Sequence, residues 1–171
     1  ISQTGKLKVI IPELTTHFDE DMVVLEKWVP TKPIAAIYYD GEKERYYVKR
    51  FLVESEGKEE SFITEHPNSQ LEIVATDYRP VAELVFAKVK GNQKENQTID
   101  LEAFISVKGF KALGNQLTTE KLKQVNLLEP LPYEAPEEVI PETLEVEGET
   151  EVSELSDEDV QLDDDGQITL F

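Results

Sequence analysis

The chain has 171 residues, of which 39% are hydrophobic, and this is enough for one substantial core or two small ones. Cysteine is absent, which excludes a disulfide scaffold and a thiolate zinc site. The net charge of −19 is unevenly spread, because residues 134–171 hold 15 of the 36 acidic residues and none of the 17 basic ones. The sequence therefore predicts a body, residues 1–133, with nearly balanced charge, followed by an acidic tail.

The first elements in chain order are predicted strands. An aliphatic run, "MVVLEKWVP" at 22–30, is expected to form a strand. The run "IAAIYYDGEKERYYVKRFLV" then places two stretches rich in Ile, Tyr and Val on either side of Asp40-Gly41, a dipeptide favoured in hairpin turns that need a positive φ. This pattern predicts a β hairpin.

A repeat accompanies these strands. The segment "KPIAAI" at 32–37 matches "RPVAEL" at 79–84, with the prolines 47 residues apart, and "LKQVNLLEP" at 122–130 resembles the start of a third copy. A period of about 45 to 50 residues with several strands is typical of a propeller-like blade of about four strands. The predicted fold class is therefore all-β, built from partial propeller-like blades.

Two later segments are less uniform. In "TIDLEAFISV" the alternation of Ile99, Leu101, Ala103, Ile105 and Val107 predicts a half-buried strand. The segment "TTEKLKQVNLL" could start as a helix, but its β-branched and Asn residues favour a strand. We expect at most one short turn of helix in the body.

After residue 133 the composition changes. Residues 134–171 contain only scattered aliphatic residues among their acids, so burial cannot offset the entropy cost of ordering them. They are predicted to form a disordered acidic tail that ends in the apolar sequence "QITLF". The first residue, Ile1, suggests a fragment of a longer protein.

Motifs for catalysis or cofactor binding are incomplete. The segment "GFKALGNQ" has two glycines at phosphate-loop spacing, but Asn115 and Gln116 stand where Lys and Ser or Thr would be needed, so a structural turn is expected. His17 and His66 lack metal-ligand spacing. We expect no catalytic residue, no metal site and no cofactor in this chain.

Basic side chains cluster at turns and strand ends of the body. A phosphate backbone is bound by such cations, although an ordinary solvated surface would have the same composition. Lys49 and Arg50 should point to opposite faces of their strand. The candidate DNA-contacting residues are Lys43, Arg45, Lys49, Arg50, Lys88, Lys90, Lys108, Lys111, Lys121 and Lys123.

Three stretches of the body carry a family resemblance: "IAAIYYDGEKERYYVKRFLV", "SQLEIVATDYRPVAELVF" and "FISVKGFKALGNQLTTEKLKQVNLLEPLPYE". They resemble the C-terminal domain of the A subunit of bacterial type IIA topoisomerases (topoisomerase IV or gyrase) of the Bacteroidetes type. The resemblance implies a β-pinwheel that binds and bends duplex DNA and presents it to a cleavage core for supercoil relaxation or decatenation. It also implies a parent enzyme that uses Mg²⁺ and ATP through other domains, pairs with the topoisomerase B subunit, and works in the cytoplasm on the nucleoid.

The resemblance is incomplete at one motif. The basic glycine-rich box of gyrases, Gln-Arg-Arg-Gly-Gly-Lys-Gly, has its nearest counterpart in "VKGFKALGNQ", which keeps Lys108 and Lys111 but has no arginine pair. This departure favours a topoisomerase IV-like role over strong DNA wrapping.

An alternative function is a protein-interaction module that does not bind DNA and whose acidic tail recruits partners. The tail's last residues resemble the pentapeptide with which bacterial replication and repair proteins bind the sliding clamp. The partner-binding candidates are Gln167, Ile168, Leu170 and Phe171. A competing interpretation is that these apolar residues pack on the body as a short strand or plug.

Overall fold

A computed structural model describes residues 1–54, 57–89, 91 and 94–133. The chain divides into two units, Ile1–Glu134 and Ala135–Phe171. The second unit lies outside the described residues, so the predicted disorder of the acidic tail stays a prediction.

The first unit is built almost entirely from β-strands, which confirms the predicted all-β class. Its elements are β1 (Lys6–Leu7), β2 (Ile34–Asp40), β3 (Arg45–Phe51), β4 (Glu60–Ser61), β5 (Gln70–Ala75), β6 (Val81–Phe86), β7 (Gln97–Asp100), α1 (Leu101–Phe104), β8 (Asn115–Thr118) and β9 (Leu122–Leu128).

These strands form three antiparallel sheets within the described residues. A central sheet has the order β5-β2-β3-β8, a second sheet has the order β7-β6-β9, and β1 pairs with β4. The strand β8 follows the second sheet's hairpin in sequence but extends the central sheet. Consecutive parts of the chain are thus interlocked by strand pairing.

The central sheet is buried on both faces. Along β2, Ala36 and Tyr38 belong to one hydrophobic core, together with Phe51, Phe62 and Phe110 (the first core). The intervening Ala35 and Ile37 belong to another, shared with Leu84 and Phe86 of the second sheet (the second core). A strand covered on both sides has no polar face, which explains the nearly continuous apolar sequence of β2.

The sequence repeat is also a repeat of structure. Strands β2 and β6 begin directly after Pro33 and Pro80. Each pairs with the next strand of its own hairpin on one side and with a later strand on the other. A register shift interrupts the second pairing in both copies, at Ile37/Tyr38 and at Val85/Phe86. The segment predicted to start a third copy, β9, belongs to the sheet of the second.

Two strand predictions need correction. The predicted strand in "TIDLEAFISV" ends at Asp100, because the Asp100 side chain accepts hydrogen bonds from the backbone N–H groups of Glu102 and Ala103 and starts the helical turn α1. The aliphatic run at 22–30 is not a strand; Met22 makes only an isolated bridge to Ser2. In contrast, "LKQVNLL" forms the expected strand β9.

The predicted hairpin is confirmed, but its turn is different. A four-residue loop, 41–44, joins β2 to β3, and the positive φ of 54° belongs to Glu44. Gly41 is needed for space instead, because a Cβ there would lie 2.6 Å from the Asn68 carbonyl carbon and 2.7 Å from the Ser69 nitrogen. The hairpin loop therefore packs directly on the 66–69 turn.

Candidate nucleic-acid interface

The fold separates the candidate DNA-contacting residues into an exposed set and a buried set. Lys49 and Arg50 are only 3% and 7% exposed. Lys90 lies outside the described residues. The exposed set consists of Lys43, Arg45, Lys88, Lys108, Lys111, Lys121 and Lys123.

Two of the exposed cations are oriented by the edge strand β8. Arg45 donates from Nη1 to the Gln116 side-chain oxygen at 2.9 Å, and Lys108 donates from Nζ to the Asn115 side-chain oxygen at 2.8 Å. Because neighbouring strand residues point to opposite faces, the two cations lie on opposite sides of this edge. In the sequence, Asn115 and Gln116 were recognised only as residues that do not complete a phosphate loop. Their role in orienting the two cations was not predicted, because it depends on pairing between strands that are distant in sequence.

Lys111 and Lys43 contact aromatic rings. Lys111 is 73% exposed, pairs with Glu60 at 3.1 Å, and lies 4.9 Å from the centroid of the Phe110 ring. Lys43, in the hairpin loop, lies 5.9 Å from the centroid of the Tyr47 ring. Contacts of this kind hold a flexible lysine stem near the surface and leave the ammonium partly accessible.

A second concentration of charge lies at one end of the second sheet. We call Lys88, Lys121 and Lys123 the lysine group. The Ala87 N–H donates to the Lys121 carbonyl at 2.9 Å, which brings Lys88 next to Lys121. Lys121 and Lys123 flank the buried Leu122, so their side chains point outward. Among the described residues, the three make no ion pair.

Lys49 is directed into the first core and not toward solvent. Its Nζ donates to the carbonyls of Phe62 at 2.7 Å and Phe110 at 2.8 Å. Burial lowers the pKa of Lys49 to about 8, and the positive charge of Lys111 acts in the same direction. Lys49 was predicted to contact DNA, but the structure turns it away from solvent, because the strand face that it occupies is covered by the segments around residues 62 and 110.

Arg50 points to the opposite face, as expected from strand alternation, but it is also buried. Its Nη2 donates to the Tyr78 carbonyl at 2.8 Å, and its Nη1 lies 3.9 Å from a Glu102 oxygen. Nearby, Arg79 pairs with Asp100 at 2.8 Å. Arg50 thus joins β3 to the turn before β6 and to α1. Although it was predicted to contact DNA, its side chain is buried in the fold.

The two glycines of "GFKALGNQ" belong to a loop that carries two of the exposed lysines. We call residues 108–114 the basic loop. Gly114 has a φ of +94°, and a Cβ there would overlap the Val48 carbonyl oxygen. Gly109 has no atom within 4 Å of a built Cβ. The expected structural turn is present, with Ala112 donating from its backbone N–H to the Gly109 carbonyl at 2.9 Å.

Residues 1–54, 57–89, 91 and 94–133, which the structure describes, contain no cluster of three or more His, Asp or Glu residues that could hold a metal ion. No helix in these ranges is long and apolar enough to cross a membrane. The partner-binding candidates Gln167, Ile168, Leu170 and Phe171 lie outside the described residues.

Comparison with known proteins agrees with the resemblance seen in the sequence. A family model described as the topoisomerase C-terminal domain of Bacteroidota matches residues 1–129. Neither the curated proteins nor the solved structures gave a match. The matched range covers more than half of the chain and includes the strands of all three sheets. The chain therefore belongs to the bacterial topoisomerase C-terminal domain family of the Bacteroidota.

Proposed function

We propose that residues 1–133 form a non-catalytic DNA-binding and DNA-bending domain of a type IIA topoisomerase A subunit, arranged as part of a β-pinwheel. Family membership supports this proposal. The observation that carries it is the lysine group, three exposed cations at one end of a sheet without ion pairs among the described residues. Cations without carboxylate partners are available to replace the counterions of a phosphate backbone.

The proposed contacts are with phosphates and not with base edges. Arg45, Lys108 and Lys111, around the edge of the central sheet, are further proposed phosphate contacts in addition to the lysine group of the second sheet. The single helix of the described body is one turn long, too short to lie in the major groove as a recognition helix. Binding should therefore depend on salt and little on sequence.

Within the parent enzyme the domain would position a duplex segment for strand passage during relaxation or decatenation. The absence of an arginine pair around Lys108 and Lys111 favours a topoisomerase IV-like role. Strand cleavage, Mg²⁺ and ATP would be supplied by other domains and by the topoisomerase B subunit, in the cytoplasm on the nucleoid. This domain then contributes positioning and no bond chemistry.

The direct test is a salt titration of duplex DNA binding by the full chain. We expect weak binding to unrelated duplexes of equal length with equal affinity, and a logarithmic affinity that falls linearly with the logarithm of salt concentration. Absence of binding at low salt would contradict the proposal and would favour the alternative of an interaction module without DNA binding.

A second candidate function rests on the sequence "QITLF" at residues 167–171. We propose that Leu170 and Phe171 are apolar anchors for the bacterial sliding clamp, with Gln167 and Ile168 completing the peptide. A peptide of residues 160–171 should bind the clamp with a Kd near micromolar, about 8 kcal/mol, and Leu170→Ala with Phe171→Ala should abolish this. A wild-type peptide that does not bind would reject this candidate.

A further inference from the structure

Lys49 is a buried cation with a defined set of contacts. Its ammonium donates to two backbone carbonyls, those of Phe62 and Phe110. It also lies 5.0 Å from the centroid of the Phe51 ring and 5.7 Å from that of Phe110. Carbonyl oxygens and ring faces both favour a positive charge. One side chain thus joins β3 to two segments distant in sequence.

One of these segments is the basic loop. Phe110 is the buried anchor of this loop, with its ring 5.2 Å from that of Phe51, and Lys108 and Lys111 lie on either side of it. The carbonyl that Lys49 holds belongs to this anchor. The loop's ends are fixed separately, by the Lys108 N–H donating to the Arg50 carbonyl at 2.8 Å and by Tyr38 Oη donating to the Leu113 carbonyl at 2.8 Å.

The middle of the loop is also held by the burial of the Phe110 ring and by the Lys111–Glu60 ion pair. Its internal bond from Ala112 to Gly109 closes only a tight turn. A buried carbonyl without a donor is destabilising, and removal of the Lys49 ammonium would leave the Phe110 carbonyl unsatisfied unless the loop moved toward water. Position 49 therefore contributes, through the Phe110 carbonyl between them, to where the two flanking lysines lie.

We propose that Lys49 is a positioning residue that holds the basic loop through the Phe110 carbonyl and so orients Lys108 and Lys111 toward a phosphate backbone without touching it. This inference rests on the proposed DNA-binding function. It also explains why a lysine occupies a buried strand position where an aliphatic residue would be expected.

The test compares Lys49→Met with wild type in the full chain, with two readouts. Amide hydrogen exchange without DNA should show the Ala112 amide exchanging at least about tenfold faster in the variant. Duplex DNA binding should weaken, and its salt slope should fall by up to about two units, near 0.9 for each lost phosphate contact. Lys49→Gln, which replaces the ammonium with a shorter and uncharged amide donor group, should lie between wild type and Lys49→Met in both readouts.

Arg50→Met is the matched control, because Arg50 is an equally buried cation on the same strand that binds the Tyr78 carbonyl on the opposite face. It should leave the Ala112 amide and the salt slope unchanged. In a chain that already carries Lys108→Gln and Lys111→Gln, Lys49→Met should cause no further loss of DNA binding. Equal losses in both backgrounds would indicate a general structural role and overturn the proposal.

The outcomes also separate this inference from the proposed function. If wild type does not bind DNA but Lys49→Met accelerates Ala112 exchange, Lys49 orders the loop and its role in DNA binding is rejected. If wild type binds DNA and Lys49→Met changes neither exchange nor slope, the DNA-binding function stands and the positioning role is rejected.

Discussion

At the scale of single residues, Gly109 and Gly114 of the basic loop differ in whether a larger residue could replace them. Gly114 combines a positive φ with direct contact to β3, whereas Gly109 has free space around its Cβ position. Gly114→Ala should lower the free energy of unfolding by about 2–4 kcal/mol, from backbone strain and steric overlap. Gly109→Ala should cause no comparable loss. Urea denaturation measures both, and equal effects would contradict the assigned geometry.

Asp40 is the buried polar residue that organises the hairpin loop. Its Oδ1 accepts from the backbone N–H groups of Glu42 and Lys43, and its Oδ2 accepts from the Thr64 hydroxyl. Burial alone would raise the pKa of this carboxyl, but the hydrogen bonds from Lys43, Thr64 and Glu42 outweigh it and lower the pKa below its ordinary value of 3.8. The ionised form therefore stabilises the fold above the unfolded-state pKa.

Asp40→Asn should lower the free energy of unfolding by about 1–3 kcal/mol at neutral pH. A depressed folded-state pKa means that this contribution is lost as pH falls through that value. The difference between wild type and variant should then shrink as pH falls below 3.8 and through the lower folded-state pKa, as measured by denaturant titration at several pH values. A difference independent of pH would show that the carboxylate charge is not what stabilises the loop.

Lys49 should make the free energy of unfolding depend on pH in the alkaline range. Its pKa in the fold is about 8, below the ordinary lysine value of 10.5, so the unfolded chain binds more protons between these two values. Stability should therefore rise with pH across this window. Relative to Lys49→Met, wild type should gain about 1–3 kcal/mol between pH 8 and pH 10.5, measured by chemical denaturation. A constant difference would indicate that the ammonium is not desolvated.

At the scale of elements, the position of a strand within its sheet determines its expected protection. Strand β2 is paired on both sides and covered by a core on each face. Strand β7 has only four residues, pairs with β6 alone among the described strands, and is partly exposed. Amide hydrogens of β2 should exchange most slowly and those of β7 orders of magnitude faster. Similar protection of the two would contradict the sheet order.

The local elements were predictable because their signals are local. The apolar runs on either side of Asp40 and Gly41 specify β2 and β3, and the matching segments after Pro33 and Pro80 specify the repeat. The strand that was predicted to continue through Leu101 ends at Asp100, because the Asp100 side chain caps a helical turn. This local hydrogen bonding competes with the alternating apolar pattern. Local capping chemistry decided between two interpretations of the same apolar residues.

The candidate site was less predictable, because burial depends on segments distant in sequence. Lys49 and Arg50 lie in a strand whose two faces are covered by residues around 62, 78 and 110. The sequence "RYYVKRF" does not show that other segments cover both faces of this strand. Both cations were therefore predicted to lie on the surface. The orientation of Arg45 and Lys108 likewise depends on β8, which joins the central sheet from the following repeat.

At the scale of the whole molecule, the distribution of charge determines which residues are available to bind DNA. Residues 1–133 have 17 basic residues against 21 acidic ones, so bulk attraction to DNA is not expected. Binding must come from particular exposed cations, and those without ion pairs should contribute most. Lys121 and Lys123 meet this description in the described body, whereas Lys6 and Lys32 are paired with Glu59 and Glu26.

The most direct test of this account is a comparison of two double variants in the full chain, by duplex DNA binding over a range of salt concentrations. Lys121→Gln with Lys123→Gln should weaken binding and lower the salt slope by up to about 1.8 units, near 0.9 per phosphate contact. The matched pair, Lys6→Gln with Lys32→Gln, removes the same charge and should leave the slope unchanged. Equal effects of the two pairs, or no effect of the first, would contradict the claim that the lysine group binds DNA.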